Sequence, residues 1–122
     1  MLSQLLAIKR RREQGLRSGL ARLAEDDCRL CGKQDMLHDR RQALHRELRI
    51  LAATSGCFDR LGLARLRASL AKLEGEEQAL VRQLDALLAE RTQLAQTRDE
   101  QNLLLRRNLC EQEKLNFILE DI

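Results

Sequence analysis

The residues best able to do chemistry in this 122-residue chain are its four cysteines and two histidines. Cys28 and Cys31 form a Cys-x-x-Cys pair, a spacing found in zinc half-sites and redox-active dithiols. His38 and His45 follow Cys31 at intervals of seven residues, so all three share one helix face. Seven residues span about 10.5 Å of helix, whereas zinc ligands lie about 2.0–2.3 Å from the metal. One straight helix cannot gather them. The sequence therefore predicts no metal or other cofactor, with Cys28 and Cys31 as a weak alternative metal site.

A second chemically distinct group is the basic run at residues 9–12, KRRR. Such a run binds nucleic acid, anionic lipid or an acidic protein surface, or it forms a solvated helix face. Acidic residues follow within a few positions, and the two phenylalanines of the chain offer little aromatic surface for stacking on bases. A solvated face or an acidic protein partner is therefore favoured over nucleic acid.

No grouping of nucleophile and base is visible, and Gly15, Gly19 and Gly32 are isolated rather than part of a phosphate-binding loop. The net charge of +3 permits acidic partners without requiring them. No stretch approaches the roughly 18 apolar residues of a membrane span, and no signal peptide precedes the cysteines. We expect a cytoplasmic protein with free thiols that is not an enzyme and is not inserted in a membrane.

Helices must position these groups, because the composition leaves little else. The chain has no proline, tryptophan or tyrosine, is 34% charged, and is rich in leucine, alanine, glutamate, arginine and glutamine. These are strong helix formers, and such a composition is typical of coiled coils. With so few aromatic residues, a thin seam between helices is favoured over a thick globular core.

Leucines recur every seven residues in two rows in each half of the chain. In the first half, the rows contain Leu16, Leu23, Leu30, Leu37, Leu44 and Leu51, and Leu6, Leu20 and Leu48 interrupted by Glu13, Asp27, Gln34 and Arg41. In the second half, they contain Leu66, Leu73, Leu80, Leu87 and Leu94, and Leu63, Leu70, Leu84, Leu105 and Leu119 interrupted by Glu77, Arg91, Arg98 and Gln112. Two such rows form the seam of a left-handed coiled coil.

The halves are separated by a small, polar, glycine-containing cluster at about 53–59, where Ser55 or Asp59 could cap the following helix. We predict an all-α fold: a single antiparallel two-helix coiled-coil hairpin over 1–122, forming a long α-helical rod. Helix one covers about 3–52 and helix two about 60–119. Folding at residue 57 places Leu51 opposite Leu63 and gives layers that include Arg41/Leu73 and Leu37/Glu77. In this register no layer is polar on both sides, although a slip of one turn is left open.

The pattern changes beyond residue 98. Gln101, Asn108 and Gln112 occupy seam positions there, while extra apolar residues crowd both terminal segments. These residues are Leu2, Leu5, Leu6, Ile8, Leu103, Leu104, Leu105 and Leu109. More apolar surface than one seam needs indicates a docking surface.

Residues 5–13 (LLAIKRRRE), the central turn and residues 111–120 (EQEKLNFILE) resemble the stalk proteins of type III secretion systems, the YscO/HrpO/FliJ family. The resemblance covers the whole chain in pattern and is specific in the two terminal motifs. It implies an antiparallel coiled coil similar to the long hairpin of the gamma subunit of rotary ATPases. It also implies a cytoplasmic adaptor that binds the hexameric export ATPase and the cytoplasmic ring of the export gate. Some members also handle secretion chaperones.

Carried over residue by residue, the resemblance implies that both terminal segments face the ATPase. The implied contacts are Ile8, Lys9, Arg10, Arg12, Glu113, Lys114 and Leu115. No motif places the gate contacts, but Phe58 and Leu61 are apolar and near the turn, and we predict them there. The alternatives left open are a generic coiled-coil scaffold or dimerisation protein, a nucleic-acid or anionic-membrane binder acting through the basic run, and a zinc-dependent regulator.

Overall fold

A computed structural model describes residues 1–53 and 58–121. Over these residues the chain forms two α-helices, α1 (Leu2–Ala53) and α2 (Arg60–Glu120), and no strand. The helices pack against each other, which confirms the predicted all-α helical hairpin. Helix α1 begins one residue earlier and ends one residue later than predicted, and α2 ends one residue later than predicted. Most of the predicted turn, with Ser55 and Cys57, lies outside the described residues.

Helix α2 begins at Arg60 because Asp59 caps it. The backbone N–H of Gly62 donates a hydrogen bond of 2.6 Å to Asp59 Oδ1, and the N–H of Leu63 donates one of 3.0 Å to the Asp59 carbonyl. A side-chain oxygen at this position satisfies a donor that the first turn of a helix leaves open. A Cβ at Gly62 would lie 2.9 Å from the capping oxygen, so glycine leaves room for the cap. Of the two predicted caps, Asp59 is confirmed, while Ser55 lies outside the described residues.

The contacts of the chain fall into two units, and each unit contains part of both helices. Unit 1 comprises Met1–Arg29 and Arg91–Ile122, and unit 2 comprises Leu30–Glu90. Within unit 1 the helices run antiparallel, because ion pairs join Lys9 to Glu111 and Asp27 to Arg91. The single domain predicted over residues 1–122 stays a prediction.

Leucines of the two rows form the core of unit 2. Leu44, Leu73 and Leu80 are buried together, and Leu37, Leu48 and Leu51 pack against them. Every residue named above in the two rows of α1 is buried or half-buried, and the same is true of α2 with two exceptions. These exceptions are Leu63, which is 40% exposed in the first turn of α2, and Arg98. The period of seven therefore identified the packed face of each helix.

The register differs from the predicted one by about one turn. Arg41 contacts Glu77 instead of Leu73, and Leu73 clusters with Leu44. A shift of four residues is about one turn of helix. The expectation that no layer is polar on both sides is wrong, because acidic and basic interruptions of the leucine rows face each other. Opposite charges offset the cost of removing each charge from water, which leucine opposite a charge cannot do.

Candidate protein-docking site

The two terminal segments, residues 1–20 and 101–121, carry all seven residues that the resemblance implies for the ATPase. Ile8 is 45% exposed, while Lys9 is half-buried. The exposed members are Arg10, Arg12, Glu113 and Lys114. Leu115 is only 8% exposed, so its side chain is taken up by packing inside unit 1. Six of the seven side chains therefore retain surface for a partner, and Leu115 contributes to the seam instead.

Lys9 and Glu111 form an ion pair between the two helices of the terminal segments. The hydrogen bond from Lys9 and its charge hold the pKa of the Glu111 carboxyl below its ordinary value, with smaller effects from the charges of Lys114 and Arg12. Because Lys9 is already matched by a carboxylate, it offers less net charge to a partner than the neighbouring arginines.

A buried polar network lies in the seam of the terminal segments. Asn108 and Gln112 are 7% and 8% exposed. Gln112 Nε2 donates to Asn108 Oδ1 at 2.6 Å and to Glu13 Oε1 at 2.9 Å, and Arg17 Nε donates to Glu13 Oε2 at 2.8 Å. The hydrogen bonds from Arg17 and Gln112 hold the pKa of Glu13 below its ordinary value. The sequence placed Glu13, Asn108 and Gln112 at the seam, but the network that they form depends on the register and was not predicted.

Apolar side chains that the seam does not bury are more frequent along the terminal segments of unit 1 than along unit 2. Their exposed fractions run from 41% to 68% for Leu5, Ile8, Leu103, Leu104, Phe117 and Ile118. The first residue of the chain, Met1, is also fully exposed. Clustered exposed apolar residues rimmed by charge mark an interaction surface more often than scattered single ones do.

An open groove of about 490 Å³ lies between the two terminal segments. It is lined by Lys9, Arg12, Gly15, Leu16, Leu104, Arg107, Asn108 and Glu111. A Cβ at Gly15 would meet no atom within 4 Å, so the space beside this residue of α1 is open. Sequence reasoning did not identify Arg107 or Gly15. The signal was present, since Leu5, Ile8, Arg12 and Gly15 follow one strip of α1 at intervals of three and four.

The predicted gate contacts lie near the start of α2 in unit 2. Phe58 is 42% exposed and Leu61 is 61% exposed, and Leu63 beside them is 40% exposed. Three exposed apolar side chains within six residues form a second, smaller apolar surface. Whether they contact an export gate stays a prediction.

The polar centre of unit 2 joins three side chains. Arg41 donates to Glu77 Oε1 at 2.8 Å, and His45 Nε2 lies 3.0 Å from Glu77 Oε2. Among the described residues no donor makes a well-aligned hydrogen bond to this buried Oε2, and the His45 ring is the group that approaches it. Burial acts to raise the pKa of Glu77, but His45 and Arg41 together hold it below its ordinary value. This contact explains a histidine that the sequence left without a role.

The thiols do not build a site in the described part of the chain. Cys28 and Cys110 are exposed, Cys31 is half-buried, and all three are free. No group of three or more His, Cys, Asp or Glu side chains that could hold a metal ion occurs among the described residues. Neither described helix has a stretch long and apolar enough to cross a bilayer.

Comparison with known proteins adds no relative. No family model matches the chain, and no curated protein or solved structure matches it. The functional argument therefore rests on the surface of the two units and on the terminal motifs. What this surface offers is apolar area, charge and an open groove, which are the elements of protein recognition.

Proposed function

We propose that this chain is a stalk-type adaptor of a type III secretion apparatus that binds the hexameric export ATPase and links it to the export gate. It acts by binding and has no catalytic chemistry of its own. It works in the cytoplasm, at the cytoplasmic face of the apparatus. The resemblance of residues 5–13 and 111–120 to the stalk family supports this choice among protein-binding functions.

One observation carries the proposal. Seven exposed apolar side chains lie in the same short terminal segments as the basic run and the family-like motifs. The other exposed large apolar side chains of the described residues are spread over the longer unit 2 and are Met36, Ile50, Phe58, Leu61, Leu63 and Leu88. Ile8 and Arg12 on α1 and Lys114 on α2 are accessible in the terminal segments. A mixed surface of apolar anchors and basic side chains fits a ring of protein subunits, where anchors supply affinity and charges supply orientation.

The gate contact is assigned to the start of α2, where Phe58 and Leu61 are exposed. Secretion chaperones are further candidate partners, since some stalk proteins handle them. Lys33, Met36 and Ala86 line an almost wholly apolar groove in unit 2 that offers such a partner a separate surface.

The test is a binding and hydrolysis assay with the export ATPase encoded in the same genome. We expect the chain to be retained by the immobilised hexamer and to raise its rate of ATP hydrolysis. Deletion of the gene should abolish or strongly reduce secretion. The proposal would be contradicted if the ATPase neither binds the chain nor changes its hydrolysis rate, and if secretion is normal after deletion of the gene.

A second candidate, a coiled-coil scaffold that self-associates, is favoured by one feature of α2. Leu103, Cys110 and Phe117 are exposed and recur every seven residues, as one row of a second seam would. Sedimentation at several concentrations separates the candidates. A stable dimer at sub-micromolar concentration, lost on replacing Leu103 and Phe117 by serine, favours the scaffold.

A further inference from the structure

The groove between the terminal segments combines two kinds of surface on one flank of unit 1. We call it the basic groove and define it by Lys9, Arg12, Gly15, Leu16, Leu104, Arg107, Asn108 and Glu111. Its floor contains Leu16 and the buried amide of Asn108, and its rim contains the charged side chains. The groove therefore presents apolar area in the middle and charge at the edges.

The charges of the rim do not cancel. Lys9 is paired with Glu111 across the groove. Arg12 and Arg107 are exposed, and neither forms an ion pair with any carboxylate of the described residues. One guanidinium is contributed by each helix, so two uncompensated positive charges flank the groove. They are available for carboxylates of a partner.

The apolar part of the groove continues along both helices. On α1, Leu5 and Ile8 precede Arg12 by seven and four residues, and on α2, Ile118 follows Leu104 by fourteen. These spacings keep all of them on the same helix strip as the groove residues. Leu5, Ile8, Leu104 and Ile118 are 41–48% exposed. An elongated apolar strip, rather than a round pocket, is what a helix laid along the groove would cover.

We propose that the basic groove binds an amphipathic helix of a partner protein whose apolar face is bordered by acidic side chains. Leucine-like side chains of that helix pack on Leu5, Ile8 and Leu104, while its carboxylates pair with Arg12 and Arg107. The inference deepens the proposed function, on which the assignment of this helix to the export ATPase rests.

A protein helix fits this groove better than a polyanion does. Because Lys9 is paired with Glu111, only Arg12 and Arg107 are left in the groove to meet phosphates, whereas a nucleic acid backbone is held by several such contacts. The exposed leucines have no apolar counterpart on a nucleic acid backbone, but they match the apolar face of an amphipathic helix. Nucleic acid and anionic membranes are therefore alternatives that the same experiment must test.

The chain offers a matched pair of variants. Arg12→Glu with Arg107→Glu reverses the charge of the groove. Arg11→Glu with Arg106→Glu makes the same change in net charge on the residues that directly precede Arg12 and Arg107. Neither of these arginines lines the groove, since one residue turns the helix by about 100°. All four arginines are exposed, and circular dichroism checks that both variants keep their helix content.

Two probes are used with each full-length variant. One is a synthetic helical peptide of about 20 residues with leucines every three or four positions and glutamates on both flanks, a length near one groove-binding helix. The other is the export ATPase hexamer. Phosphatidylserine vesicles and duplex DNA serve as polyanion controls, and a peptide with the glutamates replaced by lysines controls for charge.

We expect the acidic peptide to bind the native chain, and the groove variant to bind it at least about tenfold more weakly, since two ion pairs become two repulsions. The Arg11/Arg106 variant should bind nearly as well as the native chain, and the lysine peptide should not bind. No binding of the acidic peptide, or an equal loss in both variants, overturns the inference. So does tighter binding of vesicles or DNA that depends on Arg12 and Arg107.

The ATPase probe separates this inference from the proposed function. If the acidic peptide behaves as expected and the ATPase does not bind, the proposed function fails while the groove chemistry stands. If the ATPase binds equally to the native chain and the groove variant, the proposed function stands and the groove is not its docking site.

Discussion

The leucines of this chain differ in what they contribute to stability according to their exposure. Leu44 is 4% exposed and sits in the core cluster of unit 2, whereas Leu103 is 50% exposed. We expect Leu44→Ala to lower the free energy of unfolding by about 2–3 kcal/mol, the low end for buried leucine, because a helix pair can partly close over the gap. Leu103→Ala should change it by less than about 0.5 kcal/mol.

Urea unfolding followed by circular dichroism measures both leucine variants under one set of conditions. Equal effects of the two substitutions would contradict the assignment of the core. A large effect of Leu103→Ala that depends on protein concentration would point to self-association through the exposed row on α2.

The N-terminal cap of α2 also stabilises the fold through a single side chain, that of Asp59. Asp59 Oδ1 accepts from the N–H of Gly62, so Asp59→Ala should lower the free energy of unfolding by about 1 kcal/mol. Asp59→Ser keeps a capping oxygen and should retain most of that stability. Gly62→Ala should gain less than helix propensity alone suggests, because the new Cβ would crowd the capping oxygen. Thermal unfolding of the three variants checks the order, and a loss in Asp59→Ser equal to that in Asp59→Ala would contradict it.

At the scale of the helices, the sequence predicted which residues of each helix face the other helix. It did not predict which residues of α1 lie opposite which residues of α2. A period of seven depends only on residue type along one helix. It located the face of α1 that contains Leu30 and Leu44, and the face of α2 that contains Leu80. The register depends on a comparison between helices, and leucine opposite leucine is nearly as favourable one turn away. The predicted register has a leucine in every layer, whereas the folded chain places Arg41 opposite Glu77 and Asp27 opposite Arg91.

The candidate site was predictable to the same extent. The terminal segments were identified from their surplus of apolar residues, and Ile8 and Arg12 are accessible there. The role implied for Leu115 conflicts with its position seven residues after Asn108 in the buried row, a signal that the sequence already contained. The α1 side of the groove had a signal in the sequence, but its α2 side could not be predicted, since the register decides which residues of α2 lie beside Arg12.

The matching of charges between helices predicts the outcome of an exchange. Asp27 Oδ1 lies 2.9 Å from Arg91 Nε. Asp27→Arg and Arg91→Asp should each lower the melting temperature, because each places like charges in contact. The double exchange should recover most of the loss, since it restores opposite charges at the same positions.

Thermal unfolding of the four proteins in this cycle gives the coupling between the two positions. In the register predicted from leucines alone, Arg91 would face Leu23, and the two changes would simply add. Additive losses would therefore contradict the observed register, while recovery in the double variant supports it.

For the molecule as a whole, the charge pairs make stability depend on pH. The side chains of Glu13, Asp27, Glu77 and Glu111 all have a pKa below the ordinary value in the folded chain. Hydrogen bonds from Arg17, Arg91 and Lys9 are the largest causes for Glu13, Asp27 and Glu111, whereas for Glu77 the contacts with His45 and Arg41 outweigh its burial. A carboxyl with a lowered pKa stabilises the fold above its unfolded pKa, and this contribution is lost as the pH falls through the folded pKa.

We therefore expect the melting temperature to stay nearly constant from pH 7 to about pH 5 and to fall below about pH 4, where free carboxyls become protonated. The 22 lysines and arginines then lack counter-charges, so repulsion acts in the same direction. A variant with Asp27→Asn and Glu77→Gln should melt lower at pH 7 and lose less on acidification. Circular dichroism melts at constant ionic strength measure both profiles. A melting temperature that rises toward pH 3, or equal slopes for the two proteins, would contradict this expectation, because it would show that the ion pairs between the helices contribute little to the stability.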